Sequence, residues 1–488
     1  MIHLEKVNFK YGTGTPGVCN VNLHIQRGEL VLLCGTSGCG KTTLTRLING
    51  LVPNFYEGSL SGTVTVDGIA VAEAPIYELA GKIGTVFQNP RSQFFHTDTT
   101  GELAFGCENI GLPPQEILSR IAKTEKDLAL TPLMNRNLFT LSGGEKQKIA
   151  CGSVAALESQ VMVLDEPSSN LDMPAIADLR NVIKFWKSCG KTIVVAEHRF
   201  FYLADLCDRV ILMKNGSVQT VYSGVEFARL TPETLAEVGL RTNRLSSLQY
   251  CPKQVKCSKE TFVLEGFRHV CKNGRVTLNI PHTEIPLGSV TALIGRNGAG
   301  KTTLSEMLCG LKKQKCSRMI YRGKVYKTRQ RLAKCYMVMQ DVNHQLFTES
   351  VLDEVLLSQK RESKTEAVRL LKELDLEQTQ QRHPMSLSGG QKQRTAICTA
   401  LAADRDVIVY DEPTSGLDYV HMREVAENIV RLKECGKTQI IVTHDPEFLL
   451  SCCDYVIQME QGEIQNRYYL DKAGTERMLG YFCSGNEE

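Results

Sequence analysis

Gly35-Thr36-Ser37-Gly38-Cys39-Gly40-Lys41-Thr42 and, further along, Gly295-Arg296-Asn297-Gly298-Ala299-Gly300-Lys301-Thr302 decide the reading of this chain. Both fit G-x-x-x-x-G-K-[ST]. Each follows a short β-rich apolar run, residues 29–34 and 290–294, and opens a helical pattern. In such a loop the glycines let backbone N–H groups converge on phosphate oxygens, and the helix that follows adds the positive end of its dipole. Lys41 and Lys301 are expected to reach the β- and γ-phosphates of a nucleotide, and Thr42 and Thr302 to offer hydroxyls to Mg²⁺. Thr43 and Thr303 complete the expected nucleotide-binding set.

The two loops head two ordered series. Their lysines are 260 residues apart (301 − 41), while three later pairs share a spacing of 246: Ser142 and Ser388, Asp165 and Asp411, His198 and His444. A constant offset with one shrinkage marks a duplicated domain whose second copy has shorter loops. The expected division is a first domain over 1–240, a linker over 241–258 and a second domain over 259–488. The linker stretch is polar, carries Pro252 and lacks periodicity.

Apolar runs at 161–164 and 407–410 precede Asp-Glu pairs, and runs at 192–196 and 439–443 precede the histidines. Near-continuous apolar strands alternating with helices predict a mixed or parallel sheet buried on both faces, hence an α/β fold. Residues 88–140 have helical pattern and few strand-like runs, which predicts a helical subdomain in each half.

The bulk numbers suit such a protein. Its 488 residues exceed a single core, and 42% hydrophobic with 23% charged residues is an ordinary globular mix. A net charge of +3 gives no reason to expect nucleic acid as a partner. No stretch approaches the roughly 18 apolar residues of a membrane helix. The opening Met1-Ile2-His3-Leu4-Glu5-Lys6-Val7 does not read as a secretory signal. The 18 cysteines are scattered, without metal-ligand spacing; they read as reduced thiols, a zinc site being the alternative.

The remaining motifs assemble a hydrolytic site. Asp165 and Asp411 suit Mg²⁺, and Glu166 and Glu412 can act as general bases toward water. His198 and His444, each ending a strand, are placed to touch the γ-phosphate. Gln88 and Gln340 follow apolar runs and can bind Mg²⁺ or water from a loop.

The order phosphate loop, Gln, Leu-Ser-Gly-Gly, strand-Asp-Glu, Ser-x-Leu-Asp, His resembles the ABC ATPase superfamily, twice over and along nearly the whole chain. The resemblance implies two tandem P-loop NTPase domains that bind ATP and Mg²⁺ and hydrolyse ATP. It implies that the halves pair: Ser388, Gly389 and Gly390 complete the site of Lys41, while Ser142, Gly143 and Gly144 complete that of Lys301. It also implies an adenine-stacking aromatic, Tyr11 in the first half, with Phe267 and His269 both candidates in the second. Ser169-Asn170-Leu171-Asp172 replaces the usual form seen at Ser415-Gly416-Leu417-Asp418; Asn tolerates the positive φ that Gly supplies. Two hydrolytic sites of unequal rate are expected.

Gln88-Asn89-Pro90-Arg91-Ser92-Gln93-Phe94-Phe95, the run 103–109, Ala196-Glu197-His198-Arg199, Gln345-Leu346-Phe347 and the run 350–355 resemble the energy-coupling factor ATPases of cobalt and vitamin importers. That implies a peripheral ATPase on the cytoplasmic face of the membrane, docked beneath a transmembrane coupling subunit, with a separate membrane protein capturing the substrate. Phe94, Phe95, Leu346 and Phe347 read either as core or as a wall receiving the partner's helices. The rivals are the fused ATPase of a sugar importer, where one half should be catalytically degenerate, and a soluble ABC protein acting on ribosomes, where a long charged helical linker is expected, or on DNA, where large insertions or zinc modules are expected.

Overall fold

The computed structural model describes residues 1–250, 260–271, 274–313 and 316–483. They fall into two compact units, Met1–Leu248 and Gln249–Glu487. Of the expected linker 241–258, residues 251–258 lie outside the described residues. Its first part packs on the first unit: Arg241, Thr242 and Asn243 are buried, and the Asn243 amide donates to Phe227 O at 2.6 Å and Leu230 O at 3.3 Å.

Each unit carries two sheets. In the first unit, Ile2–Tyr11, Pro16–Ile25, Gly58–Val66 and Ile69–Ala70 form an antiparallel sheet. A six-stranded sheet runs Ser217–Ser223, Arg209–Lys214, Leu30–Cys34, Thr192–Ala196, Val161–Asp165, Ile83–Val86. All its neighbours pair in parallel except the edge strand Ser217–Ser223. The second unit repeats the order with Cys335–Val338, Val407–Asp411, Thr438–Val442, Val290–Ile294, Tyr455–Glu460 and antiparallel Glu463–Tyr469. The α/β class and the strands ahead of each motif are therefore as the apolar runs predict.

These runs lack the in-out alternation of a solvated sheet because both faces are covered. Leu30, Val31, Leu33, Val161, Val163 and Val194 are all inaccessible to solvent. In a doubly covered parallel sheet the chain leaves each strand at one rim, the carboxyl end, and that rim is where ligands bind. The central strands Leu30–Cys34 and Val290–Ile294 are each held by parallel partners on both sides.

The helical subdomain forms too. Thr99–Asn109 and Pro114–Asp127 pack with Gly143–Ala156 in the first unit, and Val351–Ser358 and Lys364–Glu373 with Gly389–Ala402 in the second. No helix among the described residues is long and apolar enough to cross a membrane. The cysteines among them are all free thiols, and no cluster of three or more His, Cys, Asp or Glu is placed to hold a metal.

Leu33 has no solvent exposure and sits in the core beneath the first phosphate loop. Leu33→Ala is expected to cost about 2–5 kcal/mol. The only tryptophan, Trp186, is 2% exposed in the same unit, so its fluorescence in a urea titration reads that unit. An unchanged midpoint would contradict the core assignment.

Candidate functional site

The phosphate loops leave the central strands and enter the helices Lys41–Ile48 and Lys301–Leu308. Gly40 and Gly300 cap these helices with φ of 102° and 96°. A Cβ would stand 2.7 Å from Gly17 O at the first and 2.8 Å from Thr277 O at the second, so both conformation and space require glycine. The Lys41 ammonium is buried and donates to Gly35 O at 2.9 Å and Thr36 O at 3.2 Å; Lys301 donates to Gly295 O at 2.6 Å and Arg296 O at 3.0 Å. Each ammonium is thereby held over its own loop, in the mouth where phosphate oxygens would take the place of carbonyl acceptors.

Around the first loop the predicted residues converge. Thr42 Oγ1 donates to Asp165 Oδ1 at 3.2 Å. Gln88 Nε2 donates to Glu166 Oε2 at 2.7 Å, and His198 Nε2 lies 3.3 Å from Glu166 Oε1. A cavity of about 240 Å³ opens here, lined by Thr42, Gln88 and Asp165 with Arg46, Asn49 and Tyr56. In the second unit Thr302 bonds to Asp411, and His444 Nε2 stands 3.5 Å from Glu412 Oε1 and 3.2 Å from Asn297 Oδ1. Gln340 follows the strand Cys335–Val338 as Gln88 follows Ile83–Val86.

Burial, and then the neighbouring Glu166, pushes the Asp165 carboxyl up to about 7; burial raises Asp411 as well. A divalent cation would offset that cost. Hydroxyl, carboxylate and amide oxygens form the hard-oxygen donor set that Mg²⁺ takes together with substrate phosphates. The residues present therefore fit Mg²⁺.

Two features of these sites were not legible in the motifs. Glu166 and Glu412 sit in the left-handed region, with φ of 44° and 50°, which a non-glycine residue rarely adopts. Their backbone N–H groups, donating to Ala196 O at 2.8 Å and Val442 O at 2.9 Å, lock that turn. The second feature is Glu197. Its buried carboxylate accepts from His198 N at 2.8 Å, Ser168 N at 3.1 Å and Tyr202 Oη at 2.9 Å. It ties the histidine turn to the turn after Glu166, whereas the second unit has Thr443 there, accepting from Asp445 N at 3.1 Å.

Ser142 and Ser388 are N-caps of Gly143–Ala156 and Gly389–Ala402, each in a capping box, with Glu145 and Gln391 as respective partners. Both serines and the first glycines, Gly143 and Gly389, are exposed at these helix N-termini. The turn after the acids differs from expectation. Gly416 takes φ 70°, but Asn170 does not adopt a positive φ, so the first unit uses a different backbone there.

Tyr11 lies half-buried beside the phosphate-loop helix, its Oη 3.0 Å from Thr43 Oγ1 and accepting from Arg46 at 3.1 Å. Neither candidate of the second unit matches it. Phe267 has no solvent exposure and lies in the core beneath the Arg331 guanidinium, 4.9 Å away. The ring of His269 is engaged with the Thr277 hydroxyl at 2.7 Å.

The two outer aromatics also resolve. Phe95 and Phe347 are 74% and 73% exposed, while Leu346 is core and Phe94 is half-buried. Phe95 N and His96 N donate to the buried Glu102 carboxylate, and Phe347 N and Thr348 N to the buried Glu354, all at 2.9–3.0 Å.

Comparison with known proteins agrees with this geometry. The sequence pattern of the family described as ABC transporter matches residues 18–169 and 278–415. A provisionally named ABC transporter ATP-binding protein of Treponema denticola is 44% identical over 473 residues, covering 95% of this chain and 96% of its own. A relative of the same provisional name from Methanosarcina mazei is 34% identical, covering 95% and 88%. Among solved structures, the archaeal ribosome recycling factor aABCE1, in complex with ribosomal stalk protein aP1, superposes with a TM-score of 0.64 at 23% identity, covering 98% of this chain and 92% of that one. That likeness is one of fold alone. Two phosphate loops, two Asp-Glu strand ends and two capped Ser-Gly-Gly helices thus have a common origin: the chain belongs to the ABC transporter family, carrying two of its ATP-hydrolysing domains on one polypeptide.

Proposed function

We propose that this protein is the ATP-driven motor of a transport system, of the energy-coupling factor importer type, acting as a peripheral subunit on the cytoplasmic face of the membrane. The observation that carries the partner side of this reading is the paired surface aromatics. Phe95 and Phe347 occupy the same turn of both units, each fixed by a buried glutamate, and each exposes its ring. An apolar ring held rigidly in water at two equivalent places suits docking against an apolar partner segment. The partners are a transmembrane coupling subunit and a membrane protein that captures a vitamin or metal ion.

In each cycle the phosphate loop and Lys41 or Lys301 bind the triphosphate. Mg²⁺, held by Thr42, Gln88 and Asp165 or by Thr302, Gln340 and Asp411, would supply charge neutralisation at the phosphates. Glu166 and Glu412 orient the attacking water and accept its proton. His198 and His444, within reach of those carboxylates, contact the γ-phosphate. By the family pattern, Ser388, Gly389 and Gly390 serve the nucleotide of Lys41, and Ser142, Gly143 and Gly144 that of Lys301. Both glutamates are present, which favours two working sites over the degenerate half expected of a sugar importer.

Glu166→Gln and Glu412→Gln should each keep nucleotide binding while slowing turnover at the altered site by about a hundredfold or more. Full single-turnover activity at that site, followed by peptide-resolved nucleotide trapping, would refute the base assignment. Ser388→Ala should impair trapping at the Lys41 site and spare the Lys301 site; the opposite pattern would refute the pairing. Finally, the native protein should sediment with membranes only when a coupling subunit is co-expressed. ATP-dependent sedimentation with ribosomes instead would replace transport with a ribosomal role.

A further inference from the structure

The hairpin that carries Tyr11 is built the same way in both units. Tyr11 N donates to Thr15 O at 3.0 Å and Gly14 N to Tyr11 O at 2.8 Å; Cys271 N donates to Arg275 O and Gly274 N to Cys271 O, both at 2.9 Å. Gly14 and Gly274 take φ of 87° and 82°. One step back, Phe9 pairs with Val18 and His269 with Leu278. Each of these equivalences has the 260-residue spacing of the two phosphate-loop lysines (271 − 11, 269 − 9, 301 − 41). The structural counterpart of Tyr11 is therefore Cys271, half-buried, with its thiol 3.9 Å from the Thr277 hydroxyl.

The two rings nearest Cys271 in sequence do not stand at the place of Tyr11. Tyr11 is flanked by Tyr56, 6.3 Å away edge-on, which itself lies under the Arg46 guanidinium at 4.0 Å. The second unit's sequence has no Phe, Tyr or Trp between Lys301 and Arg318, nor between Arg268 and Val276. His269 is engaged with Thr277 and Phe267 is sealed in the core. A nucleotide whose phosphates sit on the first loop meets aromatic surface where the loop's helix begins, while one on the second loop meets a thiol.

We propose that the second unit takes its nucleoside triphosphate without an aromatic base platform, holding it through the phosphates, so that the first site is the retentive one and the second the freely exchanging one. This rests on the reading that both loops bind ATP. Aromatic stacking adds affinity for any base, so its loss should weaken the second site by about tenfold.

The test is equilibrium titration of the full chain with Mg²⁺ and the β,γ-imido analogue of ATP. Two affinity classes about tenfold apart are expected, with Lys301→Ala removing the weak one and Lys41→Ala the tight one. Tyr11→Cys should weaken the tight class to the level of the weak, and Cys271→Tyr should strengthen the weak class. The Tyr11→Cys and lysine variants decide the matter even if Cys271→Tyr does not fold. A single class in the unaltered chain, or loss of the weak class with Lys41→Ala, would overturn the proposal. Absence of binding at either site would instead overturn the nucleotide reading beneath it.

Discussion

A strand held in parallel on both sides has one free end for chemistry, and this constraint organises both units. Leu30–Cys34 and Val290–Ile294 give up their faces to the core and their edges to neighbours. The loop that leaves the carboxyl end turns carbonyls onto the buried Lys41 or Lys301 ammonium, and its Cys39 O or Ala299 O accepts from Gly216 N or Gly462 N. The adjoining strands end in Asp165, Asp411 and, two residues past their last pairs, His198 and His444, so the same rim collects the acids and the histidines. Convergence of residues more than 120 positions apart, such as Thr42 and Asp165, follows from sheet order alone.

Within that common frame the two copies have drifted at particular points. The acids and histidines at this rim are the same in kind and nearly the same in spacing, with His–Glu distances of 3.3 and 3.5 Å. The differences lie in other residues. Asn297 bonds the second histidine at 3.2 Å where the first loop has Ser37. Glu145 closes the first capping box with a charge, where Gln391 closes the second without one. Cys271 stands at the place of Tyr11, whose ring packs edge-on against Phe9 and Tyr56. Such substitutions leave the acids and histidines alone and change the groups around them; on the reading proposed above they set how firmly a nucleotide is held.

The sequence is most readable where a function demands several residue types in fixed order. The phosphate loops and the acid-ended strands stand where pattern placed them, because each joins a strong local signal to an element boundary. Pattern does not supply direction. Phe94 and Phe95 are adjacent and alike, yet Phe94 is half-buried where Phe95 is exposed, and Leu346 is core where Phe347 is exposed. Nor does a motif give backbone conformation. The left-handed φ of Glu166 and Glu412 and the absence of a positive φ at Asn170 depend on which carbonyls lie opposite, a tertiary property. The counterpart of Tyr11 eludes pattern for a related reason. The rings nearest in sequence are Phe267 and His269, whereas hairpin register and the 260-residue offset lead to a cysteine.

The segment after Gln88 links these observations. Gln88 touches Glu166 at 2.7 Å, and five residues on Gln93 Oε1 accepts from Phe87 N at 3.2 Å, closing the turn back on itself. Gln345 does the same with Met339 N at 3.1 Å. Directly beyond each closed turn, Glu102 or Glu354 fixes the backbone that exposes Phe95 or Phe347. Gln88 and Phe95, and likewise Gln340 and Phe347, are thus seven residues apart (95 − 88, 347 − 340), and two side-chain clamps remove most of the slack between them. A segment so tied has few internal ways to absorb a displacement at the Gln88 or Gln340 end. A displacement there passes on to the exposed aromatic, which is the coupling that the motor proposed above would need between nucleotide and partner.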